Sequence, residues 1–400
     1  MISVAAARAA IVEALQPVGP EVVGVTQALG RVLAGDVAAA ISHPAADVSA
    51  MDGYAVRAAD ATMGATLRVT GESAAGHPWA GIVGPGEAAR IFTGAYVPTG
   101  ADAIVIQEDA EARADRILVK APAVAGRHVR PMGQDFSAGD LILRPPKKLS
   151  FRDVGLIAAM NVPWITVRRR PRVAILSTGD EVRMPGESIA RGQLASANGP
   201  GLAAFVTSHG GDPIHLGIAA DDAASLAALA DTASGVDLIV TSGGVSVGDH
   251  DLIGRVLGAA GLAVTFHKIA MRPGKPLMFG QFKGTPFLGL PGNPVSAMVC
   301  AILFLGPALA RLSGLPGHGP LTVPARTATS LKANDKREDY LRAALRRETD
   351  GTLTTTALSK QDSAMIRNLA EAGALIVRPP FAPETEAGAT VQVIMLADGV

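Results

Sequence analysis

Cysteine is almost absent from this chain, with Cys300 the only one in 400 residues. That excludes an intrachain disulfide, a zinc site built on cysteines and an iron–sulfur centre, and it suits a reducing, cytoplasmic setting. Aromatic side chains make up only 4% of the residues, too few for the stacking platforms that hold single-stranded nucleic acid. Excess charge is missing as well. Lys+Arg and Asp+Glu balance at 36 each, so no overall field favours a nucleic-acid backbone or an acidic membrane surface, and anion recognition falls to local clusters. Neither nucleic acid nor membrane is expected as a partner. Met1 to Leu15 carries Arg8 and Glu13 in an amphipathic pattern, which reads as a helix and not as a signal peptide. Gly284 to Ala310 lacks charge, but it contains Pro286, Pro291, Gly292, Pro294 and Pro307. Its helical part after Pro294 falls short of the roughly 20 residues of a membrane span, so a buried core helix is expected.

What is present has the texture of several domains, at a prior of roughly 150 residues each. From Arg172 to Ala310 short apolar runs alternate with helical segments, the pattern of βαβ units and a parallel, doubly wound sheet. Strands are expected at Val173–Leu176, Ile214–Ile218, Asp237–Val240, Ala263–Phe266, Leu277–Phe279 and Phe287–Leu290. Helices are expected around Leu202–Ser208, Ala223–Ala230 and Leu252–Leu257. Before Arg172, glycine and proline turns separate short β-like runs, and Ser150 is placed to cap a helix over Phe151–Met160. After the linker Gly314–Pro320, alternating runs point to a small β module.

Ligands of open α/β sheets bind beyond the carboxyl ends of the strands. Three distinctive loops fall there: Ser177–Glu181, Thr241–Asp251 and Leu290–Ser296. Gly243, Gly244 and Ser246 expose amides and a hydroxyl that invite an anion. In Pro291-Gly292-Asn293-Pro294, Asn293 suits a helix N-cap and Pro294 the first helical position, which would aim free amides at the crevice. Lys268, Arg272 and Lys275 add cations on a proline-stiffened loop. Glu181, Asp221, Asp222, Asp249 and Asp251 follow strand ends of the same sheet, and carboxylates gathered beside an anion site call for a shared hard cation such as magnesium. Neither a Walker A loop nor Gly-x-Gly-x-x-Gly is present. The residues by themselves reach a magnesium-assisted site for a phosphorylated ligand.

Six stretches in order, Ser49–Arg57, Phe92–Ala95, Ser177–Glu181, Ser242–Asp249, Pro273–Pro276 and Pro291–Ala297, closely resemble the molybdopterin molybdenumtransferases, the molybdenum insertases of molybdenum cofactor biosynthesis. The resemblance covers nearly the whole chain. It implies a multidomain α/β protein whose doubly wound central domain resembles molybdopterin adenylyltransferase, with β-rich N-terminal modules and a small C-terminal β-barrel-like domain. The implied boundaries are 1–45 with 140–167 as an elongated linker and dimerisation region, 46–139 as a β-rich domain, 168–314 as the molybdopterin-binding domain and 320–400 as the C-terminal domain.

The implied reaction takes adenylated molybdopterin and molybdate to molybdenum cofactor and AMP with magnesium. Carried over by motif, Glu181, Asp221 and Asp251 are expected to bind the metal, and Asp52, Thr93, Lys268, Arg272 and Lys275 to join them in catalysis. Gly243, Gly244, Ser246, Pro291, Gly292, Asn293, Arg337, Arg342 and Ser363 are expected to bind ligand. Arg272 stands where many relatives carry lysine, which keeps the charge and changes the donor geometry. The resemblance also implies a homodimer, with molybdopterin adenylyltransferase and molybdoenzyme apoproteins as partners. Adenylyl transfer onto molybdopterin, and a non-catalytic carrier or scaffold, are the alternative readings.

Overall fold

A computed structural model describes residues 1–220, 222, 224, 225, 228, 232–244 and 252–396. The chain forms two compact units, a larger one of Met1–Glu21, Gly30–Val32 and Arg168–Val400 and a smaller one of Val22–Leu29 and Leu33–Val167. The opening residues form helix α1, Val4–Ala14, with the Ser3 hydroxyl accepting from the Ala6 amide. Its buried face of Val4, Ala7 and Ile11 belongs to the core of the larger unit.

The smaller unit is built on a six-stranded sheet. Its strands are β1 (Gly53–Val56), β2 (Thr66–Ser73), β3 (Glu87–Ile91), β4 (Ala103–Ile106), β5 (Ala110–Arg113) and β6 (Arg116–Val119), in the order β4-β1-β3-β2-β6-β5. β1 sits between two antiparallel neighbours so tightly that a Cβ at Gly53 would meet the Val105 carbonyl oxygen at 2.1 Å. Only glycine fits there. Helix α2, Phe151–Ala159, begins as expected at Ser150, which closes a capping box with Asp153. That reciprocal cap stabilises a helix start by about 1 kcal/mol.

In the larger unit the strands β7 (Arg172–Thr178), β8 (Asp212–Ala219), β9 (Leu238–Ser242), β10 (Leu262–His267), β11 (Met271–Arg272), β12 (Met278–Phe282) and β13 (Thr285–Leu290) succeed one another. Helices α3 (Asn198–Ser208) and α4 (Leu252–Ala259) lie among them. The sheet order is β8-β7-β9-β13-β12-β10. The first four strands are parallel as anticipated. β12 alone is antiparallel to both of its neighbours, β13 and β10, because the short turn between β12 and β13 leaves no room for a crossover. β11 does not join a hairpin of this sheet; it pairs with the C-terminal module instead.

The apolar segment after β13 is a continuous helix, α5 (Pro294–Leu312), with a π-helical stretch at Ala301–Leu305. At 19 residues it is, contrary to the expectation from sequence, long and apolar enough to cross a membrane, but 78% of its most apolar stretch is buried inside the unit, as a core helix requires. Leu303, Phe304, Leu305, Leu309 and Leu312 pack against α1 residues, sheet residues and Tyr340, Leu375 and Ile394 of the C-terminal module. Each such burial stabilises the fold by about 1.5–3 kcal/mol.

The C-terminal module has strands β14 (Thr322–Thr327), β15 (Glu338–Arg347), β16 (Leu353–Ala357), β17 (Ala374–Arg378) and β18 (Thr390–Met395). They run β15-β16-β14-β18-β17, and β17 pairs back to β15, which closes a five-stranded barrel. The fold is therefore the multidomain α/β architecture expected, with β-rich N-terminal strands, a central α/β domain and a small C-terminal barrel.

Candidate active site

The parallel strands deliver their carboxyl ends to one crevice of the larger unit. β7 ends at Thr178, β9 at Ser242 and β13 at Leu290, and the Gly243 amide donates to the Leu290 carbonyl at 3.2 Å. Gly243 has φ +94°, and a Cβ there would lie 2.8 Å from both the carbonyl and hydroxyl oxygens of Thr178. At Gly244, φ +66°, it would lie 3.0 Å from the Thr178 hydroxyl and 2.8 Å from Ile253. A Cβ at Gly292 would lie 3.5 Å from the Gly243 Cα, an ordinary contact, so that position is close to Gly243 without demanding glycine. Gly243 and Gly244, singled out in the sequence, thus let the strand ends converge.

Asn198, at the head of α3, fastens them. Its Nδ2 donates to the Ser242 hydroxyl and to the Gly292 carbonyl, both at 2.7 Å, and the Ser242 hydroxyl in turn donates to the Pro291 carbonyl at 3.3 Å. Sequence reasoning missed Asn198. The one available signal was its place in Ala197-Asn198-Gly199-Pro200, a helix-start pattern sixteen residues beyond a strand-end motif.

Of the expected metal ligands, Glu181 is exposed, and its carboxylate folds back over Gly179, where a Cβ would sit 2.8 and 2.9 Å from its oxygens. Asp221, Ser246 and Asp251 lie outside the described residues, as do Asp249 and most of the Ala223–Ala230 helix. Among the described residues no three His, Cys, Asp or Glu side chains converge on a possible metal position.

Lys268 is half-buried and holds φ +86°, with its amide donating to the Leu277 carbonyl at 3.1 Å. Lys275 is exposed, and its carbonyl accepts from the Ile269 amide at 3.0 Å. Neither ammonium group makes an ion pair among the described residues. Arg272 differs. Its Nε donates to Asp339 Oδ1 at 3.0 Å and its Nη2 to Asp339 Oδ2, in register with the β11–β15 pairing. Asp339 is 3% exposed, so this cation is committed to neutralising a buried acid of the barrel.

Asn293 occupies the N-cap position of α5, yet its side chain makes no cap to the helix. Nδ2 donates instead to the Ser363 hydroxyl at 2.9 Å, and the Val295 amide donates to the Ser363 carbonyl at 3.1 Å. The 362–364 segment of the barrel therefore takes an amide that sequence reasoning left open to an anion. Arg342 joins this group, because its Nη2 donates to the Asp362 carbonyl at 3.2 Å. It is 1% exposed, its Nε has no partner among the described residues, and burial pulls its pKa down. Arg337 is held by Asp335 through Nε at 3.1 Å and Nη2 at 2.6 Å. That guanidinium holds the Asp335 carboxyl at about 2.

In the smaller unit, Asp52 and Thr93 are brought together. Asp52 Oδ1 accepts from the Thr93 amide at 2.7 Å and from its hydroxyl at 2.8 Å. These two bonds, the amide first, hold the carboxyl below its ordinary value, with the nearby Arg90 adding a smaller pull. Arg90 lies over the Tyr54 and Phe92 rings, 5.1 and 4.8 Å from their centroids, and donates to the Gly53 carbonyl and to Gln107.

Comparisons with known proteins agree along the chain. The MoeA N-terminal region (domains I and II) matches residues 2–161, a probable molybdopterin binding domain matches 174–311, and the MoeA C-terminal region (domain IV) matches 324–396. Molybdopterin molybdenumtransferase 2 of Mycobacterium tuberculosis is 38% identical over 396 residues, covering 96% of each chain. The molybdopterin molybdenumtransferase of Nostoc sp. is 36% identical over 387 residues, covering 94% of this chain and 88% of its own. The crystal structure of the molybdopterin biosynthesis MoeA protein from Pyrococcus horikoshii superposes with TM-score 0.85 at 32% identity over the whole of both chains.

Proposed function

The chain belongs to the molybdopterin molybdenumtransferase family, and on that premise we propose that it inserts molybdenum from molybdate into adenylated molybdopterin, forming molybdenum cofactor and releasing AMP. The observation that carries the reading is the crevice at the strand ends, where Thr178, Gly243, Gly244, Gly292 and Asn198 form a polar, backbone-lined floor within the segment matched by the molybdopterin binding domain. Amides and hydroxyls there suit a phosphate-bearing ligand, and Lys268 and Lys275, which make no ion pair among the described residues, lie on a neighbouring loop.

In the reaction, an oxygen of molybdate or water attacks the adenylate phosphorus. The P–O bond to the pterin phosphate breaks. Attack by water gives AMP and molybdopterin directly, whereas attack by molybdate gives an adenylyl-molybdate that water hydrolyses to AMP and molybdate. The two dithiolene thiols then bond to molybdenum as one molybdate oxygen leaves with their protons as water. Charge grows on the phosphate oxygens, which Lys268, Lys275 and the loop amides oppose. The buried guanidinium of Arg342, with Ser363, suits the oxyanion of molybdate. Magnesium would be held by Glu181 with Asp221 and Asp251, and when bound it draws charge from phosphate oxygens. An exposed carboxylate at the crevice fits such a hard cation. A homodimer, a cytoplasmic setting, and molybdopterin adenylyltransferase and molybdoenzyme apoproteins as partners are proposed on the family resemblance alone.

The test incubates purified protein with adenylated molybdopterin and magnesium, with and without molybdate, and measures AMP. Molybdate-stimulated release is expected, and its absence refutes the reading. Consumption of ATP with unadenylated molybdopterin would point to adenylyl transfer, and tight binding without turnover to a carrier.

A further inference from the structure

Asn198 combines two properties that a mere fastener does not need. Both N–H bonds of its amide are spent inside the protein, on Ser242 and on Gly292. The Gly292 carbonyl can only accept, so the amide cannot be flipped, and Oδ1 must point the other way. That oxygen is buried and has no partner among the described residues. A buried acceptor left unpaired costs about 1–3 kcal/mol, and such groups in folded proteins have a reason. Asn198 is placed where the β9 and β13 ends meet, and Gly199 beside it would bring a Cβ within 3.3 Å of the Ser177 hydroxyl at the end of β7. Thr178 repeats the pattern, with a hydroxyl that is buried and has no partner among the described residues, beside the same glycines.

From this geometry, and resting on the function proposed above, we propose that Asn198 is a ligand-contacting residue whose Oδ1 accepts a hydrogen bond from a hydroxyl or N–H of the adenylated pterin. The two internal bonds fix the acceptor in place before the ligand arrives, so little ordering cost falls on binding. A site built around a fixed acceptor also discriminates against ligands that lack the matching donor, because the oxygen would then stay buried and unpaired.

The experiment measures equilibrium binding of adenylated molybdopterin, AMP and molybdopterin to the full chain and to Asn198→Ala, alongside thermal midpoints and the KM for molybdate. The variant is expected to weaken adenylated molybdopterin about tenfold or more. One of the two halves should weaken equally, which identifies where the donor lies, while the KM for molybdate stays within about twofold of the unaltered protein on the same principle. A lower midpoint with affinities unchanged would overturn the proposal and leave Asn198 as a fastener only. Should the alanine variant fail to fold, Asn198→Ser, which keeps a short donor toward Gly292, is held to the same criterion. Failure of AMP release by the unaltered protein would sink the parent reading, whereas unchanged affinity in the variants sinks only this one.

Discussion

Replacing Arg272 distinguishes two roles for it, a cation for substrate phosphate or the partner of a buried acid. Asp339 is 3% exposed and receives both arms of the Arg272 guanidinium, whose side chain is 48% exposed. Arg272→Ala strands that carboxylate, and loss of a buried ion's partner costs about 3–5 kcal/mol. Solvent screening on the arginine side lowers the expectation to about 2–3 kcal/mol. Arg272→Lys keeps the charge and loses the fork, so about 1 kcal/mol is expected. Asp339→Asn leaves the cation free to turn into water and should also cost about 1 kcal/mol. The double variant Arg272→Ala/Asp339→Asn should be milder than the sum by about 1–2 kcal/mol, because the two side chains touch.

Calorimetry is the suitable assay. The two tryptophans, Trp79 and Trp164, both lie in the smaller unit, so their fluorescence transition should stay still while the calorimetric transition of the larger unit falls. Transitions of the larger unit within about 0.5 kcal/mol of one another across all variants, accompanied by a raised KM for adenylated molybdopterin, would refute the pairing and return Arg272 to the substrate.

Two further outcomes follow from single residues. Thr93→Val removes the hydroxyl bond to Asp52 and leaves the amide bond, so the folded pKa should rise toward the ordinary 3.8. The carboxyl's folded pKa is depressed, so its stabilisation is present above 3.8 and is lost as pH falls through the lower folded value. The variant's acid limb should therefore begin at higher pH, read by the carboxyl carbon shift of Asp52, and an unmoved titration would contradict the geometry. Cys300 is buried against Gly274 and burial pushes its thiol pKa up, so a thiol reagent should label it only after denaturant is added. Stoichiometric labelling of the native protein would contradict that packing.

Local physics was legible in the sequence wherever the deciding partners were near in the chain. Ser150 and Asp153 are three residues apart, and their capping box formed where composition placed it. The apolar runs of the central sheet, with their short turns, marked strands that β7 and β8 extend by one or two residues at each end and β13 by two at its start, while β9 is shifted to begin one residue later and end two later. The six motifs named the family for the same reason, since each loop's chemistry is written in consecutive residues. Pairings between distant segments were a different matter. Arg272 meets Asp339 across 67 positions, Asn293 meets Ser363 across 70, and Asn198 meets Gly292 across 94. A lone guanidinium, amide or asparagine in sequence shows only what it can donate or accept. Which carboxylate, carbonyl or hydroxyl receives it depends on the closure of the barrel and the convergence of strand ends. The sequence alone therefore determined the elements, the family and the anion-seeking character of the loops. Tertiary structure alone decided which of those charges and amides remain open to a ligand, because hydrogen bonding requires a few tenths of an ångström of placement that only the packed chain supplies.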